Sequence, residues 1–416
     1  MSQPGRVLIL VENLPSPFDR RVWQEANSLR DAGYGVSIIC PTGKGCEKKF
    51  ESIDGIDIWR YDLSMEGEGA KGYAVEYSVA LFWTFVLAWR VFLTRGFDVV
   101  HACNPPDLFF LIGAFFKLFG KKFIFDHHDI SPELYVAKFG RRDFFYHLML
   151  KLERWTFRTA DVSIATNESY KRIAIERGGM SPERVFVVRS GPSLERLKIG
   201  PSDESLKRGR RHLVGYVGVM GKQEGIEYLL RAAHHIVFEL GRTDVHFGLV
   251  GGGTSLAAMH ALAAELGVAD YVTFTGRVSD QQMLAMLNTA TVCVNPDVAN
   301  EMNDKSTMNK IMEYMALAKP IVQFDLTEGR FSAQGAALYA ERNDASDLAA
   351  RIVELLDDPL RCIEMGEAGR RRVENELEWR HEAPKLLAAY DSLWGNAKEQ
   401  GDANRATRGF AGRRTY

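Results

Sequence analysis

Residues 304–322 read DKSTMNKIMEYMALAKPIV. Met308, Ile311 and Met315 recur at helical spacing, which predicts a short helix with one apolar face. The apolar run 321–324 follows this helix and predicts a buried strand. A helix that leads into such a strand is typical of a parallel α/β sheet.

The opposite face of the predicted helix is polar and carries Asn309, Lys310 and Glu313. Ser306 or Thr307 could cap its start. Lys310 falls in the first turn, where the helix dipole favours an anion over a cation. An anion bound at the helix start would explain this lysine, and Glu313 could then accept hydrogen bonds from ribose hydroxyls. The alternative is a buried amphipathic helix whose polar face is only hydrated.

The sequence NKIMEYMA at 309–316, followed by KPIV at 319–322, resembles the donor-binding helix of GT-B-fold glycosyltransferases of family 4. That family has two glutamates at a fixed spacing, and the second binds the ribose of the donor. Glu313 matches the second glutamate, whereas the first would fall on Lys305. The resemblance implies a retaining, metal-independent hexosyltransferase that uses a nucleotide diphosphate sugar as substrate and needs no cofactor.

The composition is that of a globular protein in a reducing compartment. The chain has 416 residues, which is too long for one ordinary core and predicts two domains. Hydrophobic residues make up 46%, and a net charge of −2 gives no reason to expect a nucleic-acid partner. The five cysteines are scattered and lack metal-ligand spacing. The strand-like run 7–11 opens the chain without a secretory pattern, so we expect a cytoplasmic protein, with the inner face of the plasma membrane as one place of action.

The N-terminal half alternates strand-like and helical runs. Residues 7–11, 36–40 and 98–103 predict strands, and residues 19–32 predict a helix between the first two. This alternation predicts an α/β, doubly wound, Rossmann-like domain with helices on both faces of a parallel sheet. The GT-B fold that the resemblance implies has two such domains facing a central cleft. In these sheets ligands bind beyond the carboxyl ends of the strands.

The loop after the first predicted strand is a candidate for contact with an acceptor. It ends in Asp19, Arg20 and Arg21. Two arginines facing a cleft could hold an acceptor phosphate. The alternative, which the residues alone favour, is a solvated helix start. The family often has a Gly-Gly pair in this loop, and this chain has none.

Two histidines end another predicted strand. The run 122–126 leads into His127, His128 and Asp129. Adjacent residues on a strand point to opposite faces, so the two histidines are poor ligands for one ion, and the sequence predicts no metal site. A histidine at a strand end can instead hydrogen-bond a sugar, with a carboxylate fixing its tautomer. The resemblance implies that His128 and Asp129 are the catalytic pair at the transferred sugar; a structural histidine is the alternative.

A glycine-rich turn, GVMGKQEG at 218–225, marks the C-terminal half. Glycine lets the backbone approach a phosphate closely. The family usually has an arginine and a lysine in this turn, where this chain has Val219 and Glu224. Three lysines are candidates for the missing positive charge: Lys222, Lys305 and Lys310.

A second turn, TGRV at 275–278, resembles the family's base-binding turn, where backbone groups meet the nucleobase. Backbone N–H groups at the start of the 309–316 helix are expected to bind the diphosphate. The full set of predicted donor-binding residues is Gly218, Gly221, Lys222, Arg277, Val278, Lys305, Ser306, Thr307, Met308, Asn309, Lys310 and Glu313.

Aromatic runs in the N-terminal half suggest a surface for lipid. Residues 77–92 and 108–119 are rich in Phe, Trp and Leu with basic residues behind them, and a similar run lies at 141–146. The uncharged part of 77–92 is shorter than the roughly 20 residues that a spanning helix needs. These helices could pack on the core or lie in a membrane interface, and we expect some of each. The expected acceptor is a lipid-linked or envelope saccharide, with peripheral membrane contact through this half.

The predicted domain boundaries follow from a charged segment and the last helices. Residues 202–211 are charged and non-periodic, which predicts a linker. An acceptor domain is therefore expected at 1–200 and a donor domain at 201–380. Residues 381–395 resemble the helix that crosses back to the first domain in GT-B enzymes. Residues 396–416 are polar and predict a flexible tail.

Three other functions stay open. A sugar-nucleotide 2-epimerase shares the GT-B architecture and would act without an acceptor. A Rossmann dehydrogenase would need a Gly-x-Gly-x-x-Gly turn after the first strand, and residues 7–21 lack it. A scaffold without activity is the third, because Lys305, Val219 and Glu224 stand where the family has donor contacts.

Overall fold

The chain folds into two α/β units, each built on its own sheet. The computed structural model describes residues 5–63 and 69–410. Within these residues the first unit has three segments: the chain up to Val136, Arg141–Val188, and the chain from Glu382 onward. The second unit has two segments: Ala137–Gly140 and Arg189–His381.

The sheet of the first unit is built from eight strands of the described chain. They are β1 Arg6–Leu10, β2 Gly35–Pro41, β3 Phe50–Ile53, β4 Ile56–Tyr61, β5 Val99–Cys103, β6 Lys122–His127, β7 Val162–Ala165 and β8 Val185–Val187. Their order is β3-β4-β2-β1-β5-β6-β7-β8, and only β3 and β4 pair antiparallel among these strands. Most of these strands are buried, as expected for a parallel sheet covered by helices.

The helices of this half are α1 Arg20–Asp31, α2 Gly69–Thr94, α3 Phe110–Lys117, α4 Ser131–Phe139, α5 Phe144–Thr159 and α6 Glu168–Arg172. The side chain of Asp19 caps α1 by accepting the N–H of Val22 at 3.2 Å. The predicted alternation of strands and helices in the N-terminal half is therefore present.

The sheet of the second unit is parallel throughout its described strands. These are β9 His212–Val217, β10 Val245–Val250, β11 Val272–Phe274, β12 Val292–Asn295, β13 Ile321–Phe324 and β14 Ala337–Ala340. Their order is β11-β10-β9-β12-β13-β14. Two parallel α/β sheets confirm the predicted fold class.

The helices of the second half follow these strands along the chain. They are α7 Ile226–His234, α8 Leu256–Glu265, α9 Asp280–Thr289, α10 Glu301–Lys305, α11 Asn309–Ala316, α12 Thr327–Ala333, α13 Ala345–Leu356, α14 Pro359–Arg372 and α15 Trp379–Phe410.

The apolar face of α11 packs into the core of the second unit. Ile311, Met312 and Met315 are fully buried there with neighbours from α9 and β13. The helical spacing of these residues in the sequence predicts this burial, and the structure confirms it. The strand Ile321–Phe324 is also where the sequence predicts it.

The start of α11 differs from the sequence prediction. Met308 is the N-cap residue, and no side chain caps the helix, so the expected cap by Ser306 or Thr307 is wrong. The hydroxyl of Ser306 donates instead to the carbonyl of Met302 at 2.7 Å, at the end of α10. The hydroxyl of Thr307 accepts a bond from Arg189 at 3.4 Å.

The charged segment 202–211 is not the linker that the sequence predicts, because it lies inside the second unit. Two hydrogen bonds dock its start on α9. The N–H of Asp203 donates to the hydroxyl of Thr289 at 2.8 Å, and the N–H of Gly200 donates to the side chain of Asn288 at 3.0 Å. Because these contacts are hydrogen bonds between polar groups, the segment lacks the apolar periodicity that would have predicted its packing.

The last helix begins in the second unit, and its residues from Glu382 onward belong to the first. It extends to Phe410, so 396–410 is helical where the sequence predicts a tail. Ala, Lys, Glu, Gln and Arg in this segment are strong helix formers although they are polar. Residues 411–416 of the predicted tail lie outside the described residues.

Helix α2 packs one face on the sheet and exposes an apolar opposite face. Ala80, Thr84 and Ala88 are fully buried, whereas Phe82 is 60% exposed. The stretch Val75–Thr94 is long and apolar enough to cross a membrane by length and composition alone, and most of it is not buried. The sequence estimate that this run is too short to span is thus corrected, because that estimate counted only uncharged residues.

Candidate active site

Two of the predicted donor-binding elements lie together in the second unit. The turn after β9 and the start of α11 meet at Lys310, whose Nζ lies 2.6 Å from Oε2 of Glu224. A Cβ added to Gly218 would lie 3.3 Å from Cε of Lys310. The same Cβ would lie closer still to the hydroxyl of Tyr216, so the glycine at position 218 leaves room first of all for this tyrosine.

Lys310 is buried and held by two carboxylates. Its Nζ donates to Glu224 and, at 2.9 Å, to Oδ1 of Asp297, the residue that follows the end of β12 by two positions. It also lies 5.0 Å from the centre of the Tyr216 ring, within the range of a cation–π contact. Two carboxylates therefore already share the charge that the sequence assigns to a donor phosphate.

The neighbouring charges change the pKa values of Lys310 and Asp297. Burial opposes the charged form of Lys310, but Asp297 above all raises the pKa of the lysine well above its ordinary value. Burial raises the pKa of Asp297 to about 7, against the pull of Lys310 and with a contribution from Glu224. When Asp297 holds a proton, Lys310 and Glu224 balance each other; when it does not, the group has a net negative charge.

Glu313, the predicted ribose ligand, is paired with an arginine. Nη2 of Arg196 lies 2.5 Å from Oε1 of Glu313, and Nη1 of the same arginine lies 3.3 Å from Oδ2 of Asp280. The side chains of Arg196 and Glu313 are 24% and 14% exposed. Arg196 comes from the segment between β8 and β9, so residues distant in the sequence meet here.

The turn after β9 needs glycine at position 225. Gly225 has a φ of +65°, and a Cβ there would lie 1.8 Å from the carbonyl oxygen of Pro296. This close approach fixes Glu224 beside the segment that carries Asp297. Gly221 and Lys222, two predicted donor contacts, also lie in this turn, with the lysine side chain exposed.

The remaining predicted donor residues lie at the ends of other elements. Arg277 is exposed, and Val278 packs partly against the core of the unit. Nζ of Lys305 donates to Glu301 at 2.8 Å in an exposed ion pair within α10, the kind that contributes little to stability. Asn309 is exposed at the first residue of α11.

In the first unit, His128 belongs to a buried charge network at the end of β6. Its Nε2 contacts Oδ2 of Asp126, which also accepts from Arg21 and lies 3.3 Å from Nε2 of His101. Burial would raise the pKa of Asp126, but Arg21 and His128 outweigh burial and hold it well below its ordinary value. Nε of Arg21 also donates toward Nε2 of His128 at 3.0 Å, so this ring nitrogen faces both a guanidinium and a carboxylate.

Asn104, just past the end of β5, fixes the backbone that carries the predicted catalytic pair. Its Oδ1 accepts the N–H groups of His128 at 2.7 Å and Asp129 at 3.1 Å. Its Nδ2 donates to the carbonyl of Asp129 at 2.6 Å and to Asp107 at 3.0 Å. The ends of two adjacent strands are thereby joined.

The predicted acceptor residues have three different environments. Asp19 caps α1, and Arg20 is exposed beside it. Arg21 is buried, with Nη1 donating to the carbonyl of Val188 at 2.9 Å and Nη2 to Asp126 at 3.0 Å. A solvated Arg21 at a helix start is therefore wrong, because α1 turns this residue toward the sheet and into the network of Asp126. Its acceptor role stays a prediction.

Four metal-ligand side chains lie close together around that network. One ligand atom from each of Glu25, His101, Cys103 and Asp126 lies within 4.8 Å of the others. Nη2 of Arg21 lies 3.1 Å from Glu25 and 3.0 Å from Asp126. The guanidinium of Arg21 supplies the positive charge that a metal ion would supply, so these four residues do not fit a metal. The expectation that the protein has no metal site stays a prediction.

His127 points away from His128 into an aromatic environment. Its ring centre lies 5.2 Å from that of Phe157 and 4.9 Å from that of Tyr170. Burial first of all, and then the charge of Arg177, lowers the pKa of His127 to about 3. This separation agrees with the expectation that adjacent strand residues do not share a ligand.

Sequence reasoning missed three residues that organise these sites: Asp126, Asp297 and Arg196. The first two stand at or just beyond the carboxyl ends of β6 and β12, where ligands bind in parallel sheets. That rule, applied to every strand, would have found them. Arg196 has no local signal, because its partner Glu313 is 117 positions away.

Comparisons with known proteins show the family of the chain. The family model described as "Glycosyltransferase Family 4" matches residues 19–196, and the one described as "Glycosyl transferases group 1" matches residues 211–358. The 2-deoxystreptamine glucosyltransferase of Streptomyces kanamyceticus is 26% identical over 265 residues, which cover 60% of this chain and 65% of that protein. This match thus spans just under two thirds of the relative's length.

Solved structures show the same fold. Sucrose-phosphate synthase from Thermosynechococcus elongatus superposes with a TM-score of 0.74 at 18% identity, covering 94% of this chain and 99% of that one. HepE from Anabaena in complex with UDP-glucose superposes with a TM-score of 0.70 at 14% identity, covering 93% and 100%.

Two α/β units, each on a largely parallel sheet, and the likeness to these structures define a GT-B fold. The chain belongs to the family 4 glycosyltransferases, which are enzymes of sugar transfer.

Proposed function

We propose that this glycosyltransferase binds a nucleotide diphosphate sugar on its second unit and transfers the sugar to an acceptor hydroxyl with retention of anomeric configuration. The single observation that carries the proposal is the junction of the glycine turn with α11 through Lys310 and Glu224. The UDP-glucose in the HepE complex supports the donor class. No cofactor and no metal enter the proposal.

The diphosphate is proposed to bind at the start of α11. The first N–H groups of an α-helix have no partner within the helix, and together with the helix dipole they attract anions. Lys310 in this first turn is proposed to add a charge, and Glu313, one turn later in the same helix, is proposed to bind the ribose. Positive charge placed at a leaving diphosphate stabilises the transition state.

The ion pairs of Lys310 set the electrostatics of this step. A diphosphate that approaches the lysine also approaches Glu224 and Asp297. Asp297, with a pKa of about 7, is able to take up a proton at neutral pH, which removes one negative charge from beside the phosphate. Lys310 then has only Glu224 as its internal partner.

His128 and Asp129 are proposed to contact the transferred sugar. Asp126 and Arg21 hold Nε2 of His128, so its Nδ1 is the ring nitrogen proposed to hydrogen-bond a sugar hydroxyl. Asn104 holds the backbone of both residues in place. The acceptor hydroxyl is proposed to attack on the face that the leaving group occupies, as retention requires.

The acceptor is proposed to be a lipid-linked saccharide of an envelope polymer. The exposed face of α2 includes Val79, Phe82 and Trp83, and Leu118 of the α3 region is exposed as well. Large exposed apolar patches mark interaction surfaces, and aromatic residues favour the membrane interface. Because the opposite face of α2 packs on the sheet, peripheral contact from the cytoplasmic side fits this helix better than spanning does.

Two basic residues, one on α2 and one after α3, lie over aromatic rings of the same unit. The guanidinium of Arg90 lies 5.1 Å from the centre of the Trp59 ring, and Nζ of Lys121 lies 5.7 Å from that of Phe92. Cations beside an apolar face favour anionic lipid headgroups. The surface is thus proposed to hold the enzyme where a lipid-linked acceptor is presented.

A donor screen tests the proposed function. Isothermal titration of the full chain with UDP, GDP and ADP, and with their common hexose conjugates, should show binding of one nucleotide. Glu313→Ala should weaken that binding, whereas Glu227→Ala, an exposed residue of α7, should not. If no nucleotide binds, the scaffold is favoured over the enzyme. Epimerisation of the sugar without an acceptor would favour the 2-epimerase.

A further inference from the structure

We propose that Arg196 is a positioning residue for donor binding, which holds the carboxylate of Glu313 in the orientation that receives the ribose hydroxyls. This inference rests on the proposed function, because it concerns how Glu313 performs its role. It assigns a residue outside α11 to the ribose site.

The contact between the two residues is direct. Nη2 of Arg196 lies 2.5 Å from Oε1 of Glu313. The planar guanidinium uses its other terminal nitrogen on Oδ2 of Asp280, at 3.3 Å. An arginine fork that spans two carboxylates fixes direction as well as distance, which a lysine cannot do.

The arginine itself is anchored on both sides. The N–H of Leu197 donates to the carbonyl of Ser193 at 3.0 Å, and Leu197 is fully buried in the core of the second unit. Asp280 begins α9, whose start is closed by a capping box between Ser279 and Gln282. Arg196 therefore presents its guanidinium from a turn with a fixed backbone to a helix start with a fixed backbone.

Stability alone does not account for the pair. Partly exposed ion pairs contribute little to folding, and both side chains are partly exposed. Helix α11 is already anchored by fully buried Ile311, Met312 and Tyr314. A flexible glutamate side chain, by contrast, loses rotamer freedom when it is fixed. A carboxylate that is oriented before the ribose arrives avoids this loss at the binding step.

An opposite role for the same contact would be a latch, in which Arg196 occupies the carboxylate and must leave before the ribose binds. The two roles predict opposite changes in nucleotide affinity when Arg196 is removed. Removal of a positioning residue weakens nucleotide binding, whereas removal of a latch tightens it.

The test compares ribose with dideoxyribose nucleotides. The dissociation constants of wild type, Arg196→Ala and Arg196→Lys are measured by calorimetry for UDP, GDP and ADP, and then for the 2′,3′-dideoxy form of the one that binds. Arg196→Ala should weaken the ribonucleotide about tenfold and leave the dideoxy form nearly unchanged, because one charge-assisted hydrogen bond is worth about this factor. The dissociation constant of Arg196→Lys for the ribonucleotide should lie between those of wild type and Arg196→Ala. Arg231→Ala, which breaks an exposed pair in α7, is the control.

Each other outcome overturns the proposal. An unchanged or tighter dissociation constant in Arg196→Ala excludes positioning. An equal loss for ribose and dideoxyribose forms shows a general structural effect. Additive losses in a double variant with Glu313→Gln show that the two residues act separately. If none of the three nucleotides binds wild type, the proposed function itself fails and takes this inference with it.

Discussion

Nζ of Lys310 lies 2.6 Å from Oε2 of Glu224, although 86 positions separate the two residues in the sequence. The family to which the chain belongs usually has a lysine in the turn where this chain has Glu224. Here the ammonium reaches the same turn from α11 instead. The charge of the site is therefore supplied by a helix start, and the turn supplies its counter-ion.

Lys310→Met should destabilise the protein by ~3–5 kcal/mol, because it leaves Asp297 and Glu224 without their shared cation, one of them fully buried. Urea unfolding followed by circular dichroism measures the change. Lys305→Met, which removes an exposed pair, should cost less than about 1 kcal/mol. A further Asp297→Asn change should restore part of the stability of Lys310→Met. Equal small losses in both lysine variants would contradict the buried role of Lys310.

His127 should make the protein less stable as the pH falls. Its pKa is about 3 in the folded chain and 6.5 when unperturbed, so between these values the unfolded state binds the extra proton. Stability should therefore fall below pH 6.5 by up to about 1.4 kcal/mol per pH unit. His127→Phe should lack this contribution, so the difference in unfolding free energy between variant and wild type should change from pH 7 to pH 5. If this difference in unfolding free energy stays constant from pH 7 to pH 5, His127 does not take up a proton when the protein unfolds.

Gly225→Ala should be more damaging than Gly241→Ala. Both glycines have a positive φ, of +65° and +66°, so both substitutions carry backbone strain of about 1 kcal/mol. A Cβ at position 225 also meets the carbonyl of Pro296, whereas nothing lies within 4 Å of one at position 241. The difference between the two unfolding free energies isolates this collision. Equal losses would mean that the turn moves away from Pro296 at no cost.

Phe82→Glu should reduce binding to anionic lipid vesicles. The side chain is 60% exposed on α2, so a charge there should not disturb the core. Leu360→Glu, on α14 of the second unit and 74% exposed, is the matched control. Cosedimentation with phosphatidylglycerol vesicles should fall severalfold for the first variant and stay at the wild-type level for the second. If the wild-type protein stays in the supernatant, it does not bind these vesicles. The proposal that a membrane presents the acceptor is then contradicted.

Much of the fold follows from local patterns. Apolar spacing within a few residues predicts α11, the strand Ile321–Phe324 and the alternation of the N-terminal half, and the structure has all of them. The failures concern polar segments. The charged run 202–211 docks on α9 through hydrogen bonds, and 396–410 is helical without an apolar face that would reveal it.

The candidate sites were less accessible to sequence reasoning than the fold. Position at a strand end identified His128, and resemblance identified Glu313. The side chains that contact them, Asp126 and Arg196, are set by tertiary contacts. Arg21 shows the limit clearly, since a basic residue in the first turn of a helix normally faces water, and only the sheet beneath α1 explains its burial.

The distribution of α15 over two units bears on how the chain is made. Tyr390 of this helix bonds through its hydroxyl to Nδ1 of His101 at 2.7 Å, and both residues are fully buried. A ribosome therefore synthesises Arg189–His381 before Glu382 and the following residues of the first unit exist. That unit must wait, with part of its interior open to solvent, while the segment that forms the second unit is synthesised.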